Sequence, residues 1–344
     1  MKDGPVKIEA WRDLHSAAEE FRNAGCWDVM WDTDVFGVKD PASGKIGYCC
    51  VMGHGGEHFG LGVYLGAEGL EGILRMQDGD VPANPVDMLQ VQDCIMASFE
   101  DRKLLWPEDL DVIVSLGLKF RGRNAWPLFR SYRPGYVPWL LTGEEAKFLT
   151  LALRETICVS GRFATDPDML DSAVPGSCSY LVRVPRKDGN GLTWKDEWLE
   201  PVLPKKGKSA AEPVNDALLQ KVIGRNLPRR GSWEIGSFRA PQPVREKDER
   251  PFFPIMTLFV ERGSGFIRKY HMESAVASRP RYAAMLLGQA EEHGVLPVEI
   301  FVDKEEVFNA LHPVASKLGI RLGIDDLSAL EDARESMNTF LGRR

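Results

Sequence analysis

His54-Gly55-Gly56-Glu57-His58 has the most familiar chemical spacing in this sequence. It fits H-x-x-E-H, in which two imidazoles hold zinc and the glutamate serves as base. That chemistry needs both histidines on one helical face, a turn apart. Two glycines inside the motif and a strand directly after it favour a bend between strands. From such a bend His54, Glu57 and His58 could still converge on a metal as loop ligands. A second set lies in the C-terminal half. A two-metal nuclease needs several carboxylates meeting at one point, one of them from the first strand of its sheet. Glu234, Asp303 and Asp326 are the candidates. Asp303-Lys304-Glu305-Glu306 also reads as a helix N-cap with its N3 glutamate, and Asp325-Asp326 precedes a helix, so capping is a sufficient structural reason for them.

Two further groupings have both a binding and a structural reading. Arg225, Arg229 and Arg230, followed by Arg239, Arg245, Lys247 and Arg250, could contact phosphates. Glu246, Asp248 and Glu249 dilute that charge and suit a solvated loop. Asp28, Asp32 and Asp34 stand beside Trp27 and Trp31, but the central glycine and closing glutamate of a calcium loop are missing. No Ser-His-Asp, Cys-His or Walker pattern in supporting context accompanies these groups.

The elements that must position these residues are organised around Phe36 to Gly69. Asp40-Pro41-Ala42-Ser43-Gly44 has the residue types of a hairpin loop between strands at 35–38 and 46–52. Phe59, Leu61, Val63 and Leu65 then alternate with Gly60, Gly62, Tyr64 and Gly66. One face of that strand is nearly bare, so a helix or a ligand can approach its backbone. Gly60 and Gly62, with His54 and His58, are therefore candidate ligand contacts. Helical spacing marks residues 7–24 and 67–76, and Trp106-Pro107-Glu108 opens another helix. Thr142-Gly143-Glu144-Glu145 is a capping box before a mostly apolar helix reaching about Ser160.

At 344 residues the chain is long enough for two domains with full cores. The polar, proline-flanked stretch 204–213 reads as the linker between a domain at 1–203 and one at 214–344. The net charge of −7 argues against coating nucleic acid or anionic membrane by bulk charge. No apolar run reaches the length of a membrane span, and the N-terminus lacks a signal-peptide core. Six cysteines without a C-x-x-C pair fit a reduced, cytoplasmic setting, and no cofactor is expected. The fold class is α+β. The N-terminal domain is read as an antiparallel sheet with covering helices. The C-terminal order β-β-β-α-β-α-β-α is that of ribonuclease H-like domains, with a mixed sheet and helices on its faces.

The stretch Trp31 to Val38, with Gly47 to Gly53 and Phe59 to Tyr64, resembles the signature of an uncharacterised bacterial protein family. Arg279-Pro280-Arg281-Tyr282 and Val298 to Asp303 resemble a second domain of unknown function that accompanies it. Together they cover nearly the whole chain. The resemblance implies no activity and carries over no catalytic residue. The expectation is a non-catalytic cytoplasmic protein that recognises a protein partner or small ligand. The alternatives are a metal-dependent hydrolase or nuclease with a degenerate ribonuclease H-like domain, and nucleic-acid binding through residues 225–250.

Overall fold

The computed structural model describes residues 6–81, 85–172, 174, 176–188, 191–202, 214–247, 249–274 and 281–341. They form two compact units, Met1–Lys205 and Lys206–Arg344. The stretch read as a linker, 204–213, lies outside the described residues.

The first unit begins with α1 (Ile8–Ala24), which buries Leu14, Ala17, Ala18 and Phe21 and stops at Gly25 in the left-handed region. β1 (Phe36–Lys39) and β2 (Ile46–Met52) form the hairpin. The Asp40 carboxylate accepts from the N–H groups of Ala42 and Ser43 at 3.0 and 3.1 Å, which shapes the loop. β3 (Gly60–Leu65) runs directly into α2 (Gly66–Gln77). There follow α3 (Pro85–Met88), β4 (Cys94–Glu100), α4 (Pro107–Ser115), β5 (Trp126–Tyr132) and α5 (Gly143–Phe163). The capping box is present on α5: Glu145 N–H donates to Thr142 Oγ1, and Thr142 N–H donates to Glu145 Oε2. The hairpin β6 (Tyr180–Asp188) and β7 (Gly191–Leu199) ends the unit.

These strands make one sheet in the order β5-β4-β3-β2-β1-β6-β7. It is antiparallel except where β6 joins β1, through Gly37 with Val182 and Val38 with Arg183, so the sheet is mixed rather than antiparallel throughout. The reason is α5. The chain leaves the β5 edge, crosses as a long helix and returns beside β1, and such a crossover can deliver a parallel strand. α1 and α5 cover Phe36, Val38, Cys49, Val51, Leu61 and Val63. α2 covers Tyr48, Cys50, Tyr64 and Cys94 with Leu70 and Ile73. Burying one such leucine or phenylalanine is worth about 1.5–3 kcal/mol, and both sheet faces gain it.

The second unit comprises α6 (Asp216–Gly224), β8 (Ser232–Arg239), β9 (Ile255–Glu261), β10 (Ile267–Glu273) and α7 (Tyr282–His293), then β11 (Glu299–Val302), α8 (Glu305–Leu318), β12 (Arg321–Ile324) and α9 (Ser328–Leu341). The sheet order is β10-β9-β8-β11-β12. β8, β9 and β10 pair antiparallel, whereas β11 is parallel to both β8 and β12. This is the ribonuclease H-like arrangement. Trp233 and Ile235 of β8 join Leu286, Leu287 and Leu311 of α7 and α8 in one core. Leu258 and Val260 of β9 meet Leu327 and Leu330 on the opposite face. Strand alternation therefore aims Glu234 and Gly236 at α9. Among the described residues, no helix is long and apolar enough to cross a membrane.

Candidate functional site

The histidine bend is shaped by three left-handed residues: Gly53 (φ 122°), Gly56 (φ 84°) and His58 (φ 54°). His54 turns inward. Its Nδ1–H donates to the Trp27 carbonyl at 2.9 Å, and its ring lies 3.7 Å from that of Trp31, centroid to centroid. Glu57 and His58 point into solvent. Among the described residues, no three His, Cys, Asp or Glu side chains stand as a metal group. The set His54, Glu57 and His58 is not assembled in this arrangement, because the turn holds His54 against tryptophan while it projects the other two outward.

The bare strand face is filled by the protein itself. A Cβ on Gly60 would lie 2.4 Å from the Ala97 carbonyl oxygen of β4, and one on Gly62 would lie 3.1 Å from the Tyr64 ring. The reading of Gly60 and Gly62 as ligand contacts is thus corrected to close packing. α2 uses glycine in the same way: a Cβ on Gly72 would stand 2.0 Å from the Val91 carbonyl oxygen.

In the second unit, Glu234 is completely buried. Its Oε2 accepts the Leu330 N–H at 2.8 Å in the first turn of α9, where unpaired N–H groups and the helix dipole favour an anion. Its Oε1 faces the Arg262 Nε at 3.3 Å. That contact is an ion pair without hydrogen-bond alignment, since Oε1 has no hydrogen-bond partner. Arg262 also donates through Nη2 to Asp325 Oδ2 at 2.7 Å and approaches the Asp326 carbonyl oxygen at 3.3 Å. Its guanidinium lies 4.1 Å from the centre of the Phe301 ring. The Arg262 bond holds the Asp325 carboxyl below the usual carboxylate range. Asp303 does not cap α8. The N-cap is Lys304, without a side-chain bond, and Asp303 lies half exposed with the Lys304 ammonium at 3.6 Å. Of the expected carboxylates, Glu234 and the backbone of Asp326 thus meet around a cation supplied by the protein, and Asp303 does not join them.

The arginines expected to contact phosphate are distributed over helix ends. Arg225 donates to the Glu291 carbonyl near the end of α7 at 2.8 Å. Arg229 donates to the Gly319 carbonyl at 2.9 Å and to that of Leu318, closing α8. Helix C-termini carry unpaired carbonyls and partial negative charge, so guanidinium groups settle there. Arg230 is exposed. A phosphate-binding cluster of all three is therefore replaced by two helix caps and one solvated side chain.

Spacing in the sequence gave no sign of a cleft of about 740 Å³ in the first unit. It lies among the β1–β2 turn, the starts of α2 and α5, and Arg133-Pro134. Asp40, Lys45, Glu68, Asp93, Arg133, Glu144 and Glu145 supply charge, and Phe148 lies among its apolar lining residues. Burial pushes the Asp93 carboxyl above its ordinary value, and Arg133 opposes the rise. Arg133 is itself held by Glu145 at 3.3 Å. The Asp40–Gly44 loop and the Thr142–Glu145 capping box were the legible parts of this wall; that they meet Glu68, Asp93 and Arg133 from distant segments was not.

The model of the family described as domain of unknown function DUF7309 matches residues 11–183, just over half of the chain. The chain belongs to the DUF7309 family. Residues 219–338 match a second family, domain of unknown function DUF6930. The two matches lie on either side of the stretch read as a linker. Comparison with curated proteins gives no significant match. Among solved structures, this DUF7309 protein is similar to the catalytic core domain of BIV integrase, with 14% identity over 33% of this chain and 67% of that one, at a TM-score of 0.23. It is also similar to a simian T-cell lymphotropic virus intasome in complex with PP2A regulatory subunit B56 gamma, with 12% identity over 41% of this chain and a TM-score of 0.26. Only 46% of that second chain's length is spanned.

Proposed function

We propose that this DUF7309-family protein recognises a ligand or partner and does not carry out metal-dependent hydrolysis. The observation that carries the reading is Arg262. Its guanidinium stands between Glu234 and Asp325, and Glu234 is further engaged by the start of α9. A two-metal mechanism needs carboxylates free to neutralise cations, whereas these neutralise an arginine and a helix terminus. The first unit offers the binding surface. Its cleft has an apolar wall and sets Lys45 and Arg133 against Asp40, Glu68, Asp93, Glu144 and Glu145, a surplus of carboxylates that suits a cationic ligand with an apolar body. Six cysteines free of disulfide bonds support a reducing compartment such as the cytoplasm.

The test is incubation of the full chain with labelled RNA, DNA and RNA–DNA hybrid in Mg²⁺ or Mn²⁺, beside the Glu234→Gln variant. Equal background in both proteins is expected. Cleavage by the native chain that Glu234→Gln abolishes would return the nuclease alternative to first place.

A further inference from the structure

Among the described residues, the four sheet edges are built differently. β5 is covered by its own chain, since Ser131 and Trp139 exchange backbone hydrogen bonds of 2.8 and 3.0 Å. β12 has only four residues, and β10 loses register between Ile267 and Lys269. Coverage, shortness and bulges keep an edge from pairing with another chain. β7 uses none of these. Its nine residues keep an unbroken register with β6, from Leu199 to Gly191, and contain no proline. Among the described residues β6 is its only strand partner. The remaining protection is charge, Lys195-Asp196-Glu197, and the order of those charges suits a reversed copy of the same strand.

Strand alternation puts Trp194, Asp196 and Trp198 on one face of β7, and Lys195 with Glu197 on the other. Lys195 pairs with Glu197 along the strand, and Arg186 donates to Glu197 at 3.1 Å. Asp196 accepts from Arg162 at 2.7 Å and from Arg183 at 2.8 Å. Trp198 is 40% exposed. A two-fold axis normal to the sheet runs a second β7 antiparallel to the first and keeps like faces together, so one residue must face its own copy. Asp196 is the residue that tolerates this, because two arginines already neutralise it. With the axis there, Lys195 lies opposite Glu197 of the second copy, and Trp194 lies opposite Trp198. Directly opposed residues stand about 5 Å apart, where opposite charges or two aromatic rings stabilise pairing. The symmetry supplies each contact twice.

We infer that two copies of this chain dimerise through β7, pairing antiparallel about Asp196 and joining their seven-stranded sheets into one. The inference stands independently of the charged cleft. Strand pairing alone covers less area than a standard interface, so the dimer is weak, with a Kd above about 1 µM. The test is sedimentation equilibrium of the full chain over a dilution series, beside Lys195→Glu, Glu197→Lys and an equal mixture of the two. The native chain gives a dimer that dissociates on dilution. Each variant alone sets like charges opposite each other at two places and weakens the dimer at least about tenfold. Mixed, the two variants again oppose unlike charges across the axis and regain at least the native affinity. A native chain that stays monomeric up to about 1 mM overturns the inference, and that result needs no variant. A dimer that neither folded variant weakens overturns it as well, as does a mixture of the folded variants that associates no more tightly than either alone.

Discussion

Each unit contains an arginine paired with a buried carboxylate, and the two pairs are built differently. In the first unit Arg130 and Asp109 are both nearly sealed, with side chains 6% and 10% exposed. The fork is bidentate, the aspartate closes the start of α4, and the guanidinium lies 4.0 Å from the centre of the Trp106 ring. In the second unit Glu234 is sealed but Arg262 is 30% exposed, and the contact between them is a single unaligned approach at 3.3 Å. The first pair is a finished structural joint. In the second, a solvent-accessible cation covers a carboxylate whose main bond goes to a helix terminus. Desolvated pairs hold only when every lone pair and proton is satisfied. The sealed pair meets that condition and the open pair relaxes it, since Arg262 is partly exposed and also paired with Asp325.

The largest test of this contrast is Asp109→Ala. It leaves Arg130 buried without its partner and should cost the first unit about 3–5 kcal/mol in urea unfolding. A loss below about 1 kcal/mol would mean that the joint adds little. Glycines sharpen the contrast next. Gly72→Ala drives a methyl into the Val91 carbonyl, a backbone atom that cannot step aside, and should cost about 1–3 kcal/mol. Gly236→Ala crowds the movable ends of Leu327 and Leu330 at 3.0 and 3.1 Å, with Asp303 Oδ1 at an ordinary 3.8 Å, and should cost clearly less.

The units should also differ with pH. His15 has a folded pKa of about 4 against an ordinary 6.5, so between these values the unfolded chain binds more protons. Stability of the first unit therefore falls as pH drops through that window, by on the order of 3 kcal/mol from this residue. Asp93 and Glu155, raised by burial, work in the opposite sense. The difference between native and His15→Phe proteins, read by hydrogen exchange at each pH, isolates the histidine; parallel profiles would contradict it. In the second unit the lowered Asp325 carboxyl loses its contribution only as pH falls below the usual carboxylate range.

The smallest expected effect is at Glu234. Glu234→Ala removes the acceptor for the Leu330 N–H and should cost the second unit about 0.5–2 kcal/mol. Glu234→Gln keeps an acceptor and should lose less. Equal losses would show that charge opposite Arg262 matters more than the cap.

Much of the architecture was legible because it is set locally. Ile8 to Ala24 has helical spacing and a glycine stop, Asp40 to Gly44 has loop chemistry, and Thr142 with Glu145 forms the reciprocal cap where expected. The candidate sites were less legible because residue type does not reveal the partner. Asp303 has the spacing of a cap, yet α8 begins one residue later. Arg225 and Arg229 look like a basic cluster until the ends of α7 and α8 arrive beside them. The glycine face of β3 was visible, but the β4 backbone that fills it was not.

By itself, then, the sequence determined the two α+β units and the β-β-β-α-β-α-β-α order of the second, since turns, caps and apolar periodicity act over a few residues. Tertiary structure decided what each charged side chain does. Glu234 finds Leu330, Arg262 finds Asp325 and His15 comes to lie on a cavity wall only after distant segments pack. The energy of a buried polar group depends on the partner that folding places beside it, and short-range spacing carries no record of that partner.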